Sequence, residues 1–133
     1  MIQAVADTHT LIWYLFNDSR LSETARQQFI MASEARMRIG VSTISLVEIT
    51  YLEEKGRIPS IARRRFREAL ERRRSVLLEL SVDNLVAMFV SRIDRGQIPD
   101  MPDRIIAATA LTHRVPLISR DRMITTSDIE TIW

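Results

Sequence analysis

The sequence contains no cysteine. That excludes a disulfide framework, thiolate metal sites and cysteine nucleophiles, and it fits a reducing compartment. No apolar run approaches the ~20 residues that a membrane helix needs. The opening Met1-Ile2-Gln3 lacks the basic-then-apolar pattern of a secretory signal. A cytoplasmic protein without membrane contact is therefore expected. The two histidines, His9 and His113, are too few and too separated to suggest an imidazole metal site or a general base. Lysine is nearly absent too, since Lys55 stands alone. A phosphorelay receiver needs a late lysine and an acceptor aspartate after a middle strand, and Val76–Ser81 is followed by no aspartate before Asp83. A haloacid-dehalogenase-type phosphatase needs an acid two residues after its nucleophile, where this chain has His9 after Asp7.

What is present suits one compact domain over residues 1–133, with 46% hydrophobic and 27% charged residues. The net charge of +2 is unevenly spread. Residues 55–74 hold nine cationic residues against Glu68 and Glu71, a local +7, which leaves −5 on the rest. A basic arm on an acidic body suits a polyanion held near a cation-binding centre, and equally suits a solvated helix face.

The pattern along the chain alternates strands with helices. Ile2–Ala6 reads as a buried strand ending at Asp7, and Thr8–Phe16 as a helix. Ser22 is a good N-cap for a helix to about Arg36. Ile39–Ser42 reads as a strand, Thr43–Lys55 as a helix stopped by Gly56, and Ser60 as the cap of a basic helix to about Arg74. A strand over Val76–Leu80 follows, then a helix from Asp83 to about Ile93. Pro102 opens a helix to about His113, because proline is tolerated in a first turn. Val115–Ser119 and Ile129–Trp133 read as closing strands. Alternation of this kind predicts an α/β fold, a mostly parallel central sheet covered by helices on both faces.

Sites in such folds form beyond the carboxyl ends of the strands. Asp7 and Asp121 occupy that kind of position, although an aspartate after a strand is more often a turn former or a helix cap. Glu48 lies in the apolar stripe of its helix, between Ile44 and Leu52 with Ser45 and Tyr51 beside them, whereas Glu53 and Glu54 fall off it. A carboxylate in such a stripe requires a cation, a hydrogen-bond network, a proton or a buried arginine. Asp103 stands in the first turn of its helix and shares a face with Ile106, Ala107 and Ala110, where small alanines allow close approach to the sheet. Its ordinary role there would be to face a positive helix N-terminus. Asp100, three residues earlier, is the better cap. Four carboxylates in one cleft repel unless divalent cations sit between them, and all-oxygen ligation favours Mg²⁺ or Mn²⁺. Such ions activate water and offset charge on a phosphodiester. Arg104 and Arg120 neighbour two of the acids and are candidates for holding phosphate.

Four segments carry a family resemblance: Asp7-Thr8-His9-Thr10-Leu11-Ile12-Trp13, Ser42-Thr43-Ile44-Ser45-Leu46-Val47-Glu48-Ile49, Asp100-Met101-Pro102-Asp103-Arg104-Ile105-Ile106-Ala107-Ala108-Thr109-Ala110 and Leu117-Ile118-Ser119-Arg120-Asp121. In this order they resemble the PIN-domain family, and within it the VapC-type toxins of toxin–antitoxin pairs. Glu54-Lys55-Gly56-Arg57-Ile58 and the terminal Thr131-Ile132-Trp133 add to the likeness. The resemblance implies a three-layer α/β/α sandwich and a Mg²⁺- or Mn²⁺-dependent endoribonuclease acting on RNA. It places the family's acidic set on Asp7, Glu48, Asp103 and Asp121, and its hydroxyl near the first acid on Thr8. It also implies a homodimer neutralised by a cognate antitoxin. The subgroup's Asp-Pro-x-Asp-Arg reads here Asp100-Met101-Pro102-Asp103-Arg104, with the proline moved by one place and the acids at the same spacing. A catalytically inactive nucleic-acid-binding or scaffold domain is the main alternative. Trp13, Tyr14 and Phe16 are expected to fill the core or a dimer contact.

Overall fold

A computed structural model describes residues 1–133. Five strands, β1 (Ile2–Ala6), β2 (Arg38–Ser42), β3 (Leu77–Leu80), β4 (Leu117–Ile118) and β5 (Thr131–Ile132), form one sheet in the order β3-β2-β1-β4-β5, and every pairing is parallel. Seven helices connect them: α1 (Thr8–Leu15), α2 (Glu23–Glu34), α3 (Thr43–Glu54), α4 (Ala62–Glu71), α5 (Asn84–Phe89), α6 (Met101–His113) and α7 (Arg122–Thr125). None is long and apolar enough to cross a membrane.

The sheet is buried on both faces, as parallel sheets are. Successive residues of a strand point to opposite faces. Ala4 and Ala6 of β1 therefore join one core with Leu11, Phe29, Ile39, Val41, Ile49, Phe66 and Ile118. Val5 joins the other core with Val86, Ile98, Ile106, Ala107, Ala110, Leu117 and Ile124. These two cores make the three-layer sandwich that the sequence pattern predicts.

Local signals explain most boundaries. Ser22 accepts from the Ala25 amide at 3.0 Å and caps α2, and Asp83 accepts from the Val86 amide at 3.0 Å and caps α5. Gly56 adopts φ +66°, a left-handed conformation that glycine takes at little cost, and ends α3. In α6, Ala107 and Ala108 have no exposed surface, so the helix packs closely on its core.

Several boundaries depart from the sequence reading. The segment from Asp83 to Ile93 is not one helix: α5 ends at Phe89 and a 3₁₀ turn spans Val90–Arg92. Ser60 does not cap α4, whose N-cap Ile61 has no side-chain acceptor. Instead Glu53, reaching from α3, accepts the Arg63 amide at 2.7 Å and its Nε at 2.8 Å. The Glu53 side chain is only 7% exposed, although it falls off the apolar stripe of α3. The strands expected over Val115–Ser119 and Ile129–Trp133 shorten to Leu117–Ile118 and Thr131–Ile132, and the basic helix expected to about Arg74 ends at Glu71. Finally, Asp121 starts a single helical turn, α7, that periodicity is too short to reveal.

Candidate active site

Strand order fixes where a site can form. From β1 the chain moves to β2 on one side, while β4 lies on the other, so the order reverses between β1 and β4. A crevice opens at such a point beyond the carboxyl ends of the strands. Here it is a cleft of about 770 Å³ lined by Asp7, Thr8, His9, Trp13, Arg20, Glu48, Asp100, Asp103, Arg120, Asp121, Arg122 and Met123. All four acids singled out from the sequence line it, together with Asp100, although about 114 residues separate the first from the last along the chain.

Each acid is delivered by a different element. Asp7 follows β1 and is 6% exposed. One of its oxygens accepts the Thr10 amide at 2.9 Å and caps α1, which leaves the other for the cleft. Asp121 does the same after β4: its Oδ1 accepts the Met123 and Ile124 amides at 2.9 and 3.1 Å. The cap and the site role thus coexist in one side chain. Asp100 caps α6 by accepting the Asp103 amide at 3.1 Å, with Pro102 accommodated in the first turn. That leaves the Asp103 carboxyl without a hydrogen-bond partner.

Glu48 projects from the middle of α3, half-buried. Its Oε1 accepts the Thr8 hydroxyl at 2.5 Å, and Thr8 lies 2.9 Å from Ser45 Oγ. A hydroxyl has one proton to give, so with Thr8 donating to Glu48, Ser45 donates to Thr8. This relay fixes the carboxylate with hydroxyls alone. The alternative of a buried arginine partner does not hold.

The electrostatics follow from this crowding. Burial raises the Glu48 carboxyl above its ordinary value, the Thr8 hydrogen bond lowers it, Asp100 raises it, His9 lowers it and Asp7 raises it again. Asp103 is pushed up to about 7, first by burial and then by Asp100, Asp121, Glu48 and Asp7. None of the five acids forms an ion pair with a lysine, arginine or histidine. An all-oxygen, uncompensated donor set of this kind suits a hard divalent cation. In the side-chain positions described, no three of these groups enclose a common point for an ion.

Not every candidate arrives. Arg104 turns away from the cleft: its Nη2 donates to the carbonyls of Val90 and Ile93 at 3.1 and 3.2 Å, and its Nε is buried without a partner. It fastens the 3₁₀ turn to α6 rather than meeting a phosphate. Arg120 does line the cleft. Arg20, Arg122, His9 and Met123 line it as well, and no sequence pattern singles them out.

Fold and site together define an open parallel α/β protein with a carboxylate-lined crevice at its topological switch point. The chain belongs to the PIN domain family, whose profile matches residues 4–128. Among solved structures it is similar to VapBC2 of Rickettsia felis bound to a DNA fragment from its promoter (14% identity, TM-score 0.72, covering 98% of this chain and 97% of that one). It is similar to DNA-bound VapBC of Salmonella typhimurium (24% identity, TM-score 0.68, 98% and 97%) and to a toxin–antitoxin complex of Klebsiella pneumoniae (28% identity, TM-score 0.59, 90% and 87%). No curated protein matches the chain.

Proposed function

We propose that this chain is a metal-dependent endoribonuclease, the VapC-type toxin of a type II toxin–antitoxin pair, acting in the cytoplasm as a homodimer and held in check by a cognate antitoxin. One observation carries the reading: five carboxylates share a cleft at the switch point of the sheet with no cationic side chain paired to any of them. The toxin–antitoxin assignment draws on family membership and on the VapBC complexes among similar structures.

In this reading Asp7, Glu48, Asp103 and Asp121 hold Mg²⁺ or Mn²⁺. The ion, when bound, supplies positive charge against the phosphodiester oxygens and lowers the pKa of water. Thr8 and Ser45 orient Glu48. Asp7 and Asp121 are oriented by the helix amides they cap. Asp103, whose carboxyl is pushed up to about 7 by burial and the neighbouring acids, would have to be deprotonated to hold the ion. Asp7→Asn and Asp103→Asn should each lower RNA cleavage with Mg²⁺ or Mn²⁺ at least 100-fold. Asparagine still caps α1, so the first variant keeps its fold. Wild-type rates in both variants would end the proposal.

A second reading is favoured by the failure of any three groups to enclose one point: a catalytically inactive nucleic-acid-binding or scaffold domain. Thermal unfolding with Mn²⁺ separates the two. A nuclease gains stability with Mn²⁺ as RT ln(1 + [L]/Kd), about 2.7 kcal/mol at 100 Kd, and Asp103→Asn forfeits most of it. A scaffold gains none.

A further inference from the structure

We infer that Arg120, held against the indole of Trp13 beside Arg20, is a phosphate-binding subsite that receives the RNA strand next to its cleavage point; the inference rests on the endoribonuclease reading above. The cleft is divided. Its acids come from β1, α3, α6 and the end of β4, while Trp13 and two arginines form a cation–π wall of their own. The Arg120 guanidinium carbon lies 4.8 Å from the centre of the Trp13 ring, and that of Arg20 lies 5.3 Å from it, both within cation–π range.

The two arginines are not equivalent. Arg20 is clamped by Asp18, Nε to Oδ1 at 3.0 Å and Nη2 to Oδ2 at 2.7 Å, a bidentate pair that fixes its plane and cancels most of its charge. Arg120 has no hydrogen-bond or ion-pair partner, so all its donors are available. An unpaired arginine in a cleft with five carboxylates is expected to collapse onto one of them. The indole face offers a competing attraction and holds the guanidinium over Trp13. Trp13 itself is 6% exposed and has no face left for a base. It is edge-on to Trp133, with ring centres 5.7 Å apart, and lies 5.8 Å from the His9 ring, so its orientation is set from several sides. Trp13 is therefore a positioning residue that acts through Arg120.

A planar guanidinium with free donors selects an anion with paired oxygens, and a phosphodiester provides them. The acids repel the same phosphate unless a cation intervenes. Of the arginines that line the cleft, Arg20 is paired with Asp18, whereas Arg120 and Arg122 have no carboxylate partner, and of those two Arg120 is the one held over the indole, where a strand is attracted without a metal. Binding without cleavage should depend on it.

The test uses the Asp7→Asn chain, a single-stranded oligoribonucleotide and no divalent ion, with affinity measured against salt. Arg120→Gln should raise Kd about tenfold and reduce the slope of log K against log salt by about 0.7, the value for one single-strand phosphate contact. Arg92→Gln, an equal loss of charge outside the cleft, should change neither beyond the general effect of net charge. Trp13→Leu should raise Kd in the presence of Arg120 and add little to Arg120→Gln, a non-additive cycle. If Trp13→Leu fails to fold, Arg120→Lys replaces it: charge is kept and planar stacking lost, so the slope stays while Kd rises several-fold. In the cleaving wild-type background Arg120→Gln should act mainly through KM.

Equal affinity for the Arg120→Gln and Arg92→Gln chains overturns the subsite. So does an effect confined to an acidic polypeptide such as poly-glutamate, which would assign the wall to a protein partner, and so does absence of RNA binding by the parent. A wild-type chain that never cleaves RNA, in which Arg120→Gln still weakens RNA binding, removes the nuclease reading and leaves the subsite standing.

Discussion

At Asp103 burial and charge work in the same direction. The carboxyl is half out of water, faces four other acids and has no donor of its own, so it is pushed from 3.8 up to about 7. The consequence for stability has a definite sign. A folded state that binds a proton more tightly than the unfolded one loses stability as pH rises through the interval between the two values. The metal-free protein should therefore become less stable between about pH 4 and pH 7. Because Asp103 is half-exposed, solvent screening holds the effect to roughly 1 kcal/mol. Asp103→Asn should flatten that part of the profile and raise the melting temperature at pH 8, as read by circular dichroism without divalent ions. A variant that melts below wild type at pH 8 would show that the charge is not strained. The same residue explains why a cation is the natural complement of the cleft, since an ion removes the repulsion that the protonation otherwise removes.

At the scale of elements, Glu53 ties α3 to α4. It stands in the last turn of α3 and caps the start of α4, a helix with no cap of its own. Burial tends to raise this carboxyl, but the Arg63 amide and guanidinium outweigh it and hold it below 4.5. A depressed value contributes stability above the ordinary range and loses it as pH falls through the folded value. Glu53→Gln should cost about 1 kcal/mol at pH 7 in urea denaturation, with the difference shrinking toward pH 3. A constant difference across that range would mean that packing rather than charge is responsible. The basic character of α4 has a related basis: Ala62, Phe66 and Ala69 face the core, and the arginines between them take the outer side. Helices α3 and α5 carry an exposed apolar set instead: Val47 and Tyr51 at 61% and 55% exposure, Leu85 and Met88 at 51% and 64%.

That apolar set bears on the whole molecule. Helices α3 and α5 both pack on α6; exposed apolar side chains mark surfaces for association, and a stable dimer buries at least ~1,000 Å². In the homodimer reading this is the shared face, and Val47→Glu with Met88→Glu should convert the dimer to a monomer in analytical ultracentrifugation without altering the circular dichroism spectrum. A wild-type monomer, or a dimer that survives both changes, would place the contact elsewhere or remove it. The molecule as a whole also separates its charges. The acidic cleft lies beyond the carboxyl ends of the strands, whereas Arg72, Arg73 and Arg74 lie in the connection that leads into the amino end of β3. A polyanion near the cleft therefore meets acids, cations and the Trp13 wall at one end of the sheet, and a second cationic region at the other.

The sequence by itself determined the layers and the acids. The apolar run of β1, the caps Ser22, Asp83 and Asp100, the glycine stop at Gly56 and the placement of Glu48 in an apolar stripe are local properties, set by hydrogen bonding and side-chain pattern within a few residues. Only the tertiary structure decided which charged groups share the cleft and which serve the frame. Arg104 was drawn to the carbonyls of a 3₁₀ turn, Glu53 to the start of another helix, and Arg20 and Arg120 to one indole. Those outcomes depend on which long side chain reaches which partner across the sheet, and contacts of that range leave no periodic trace in the chain.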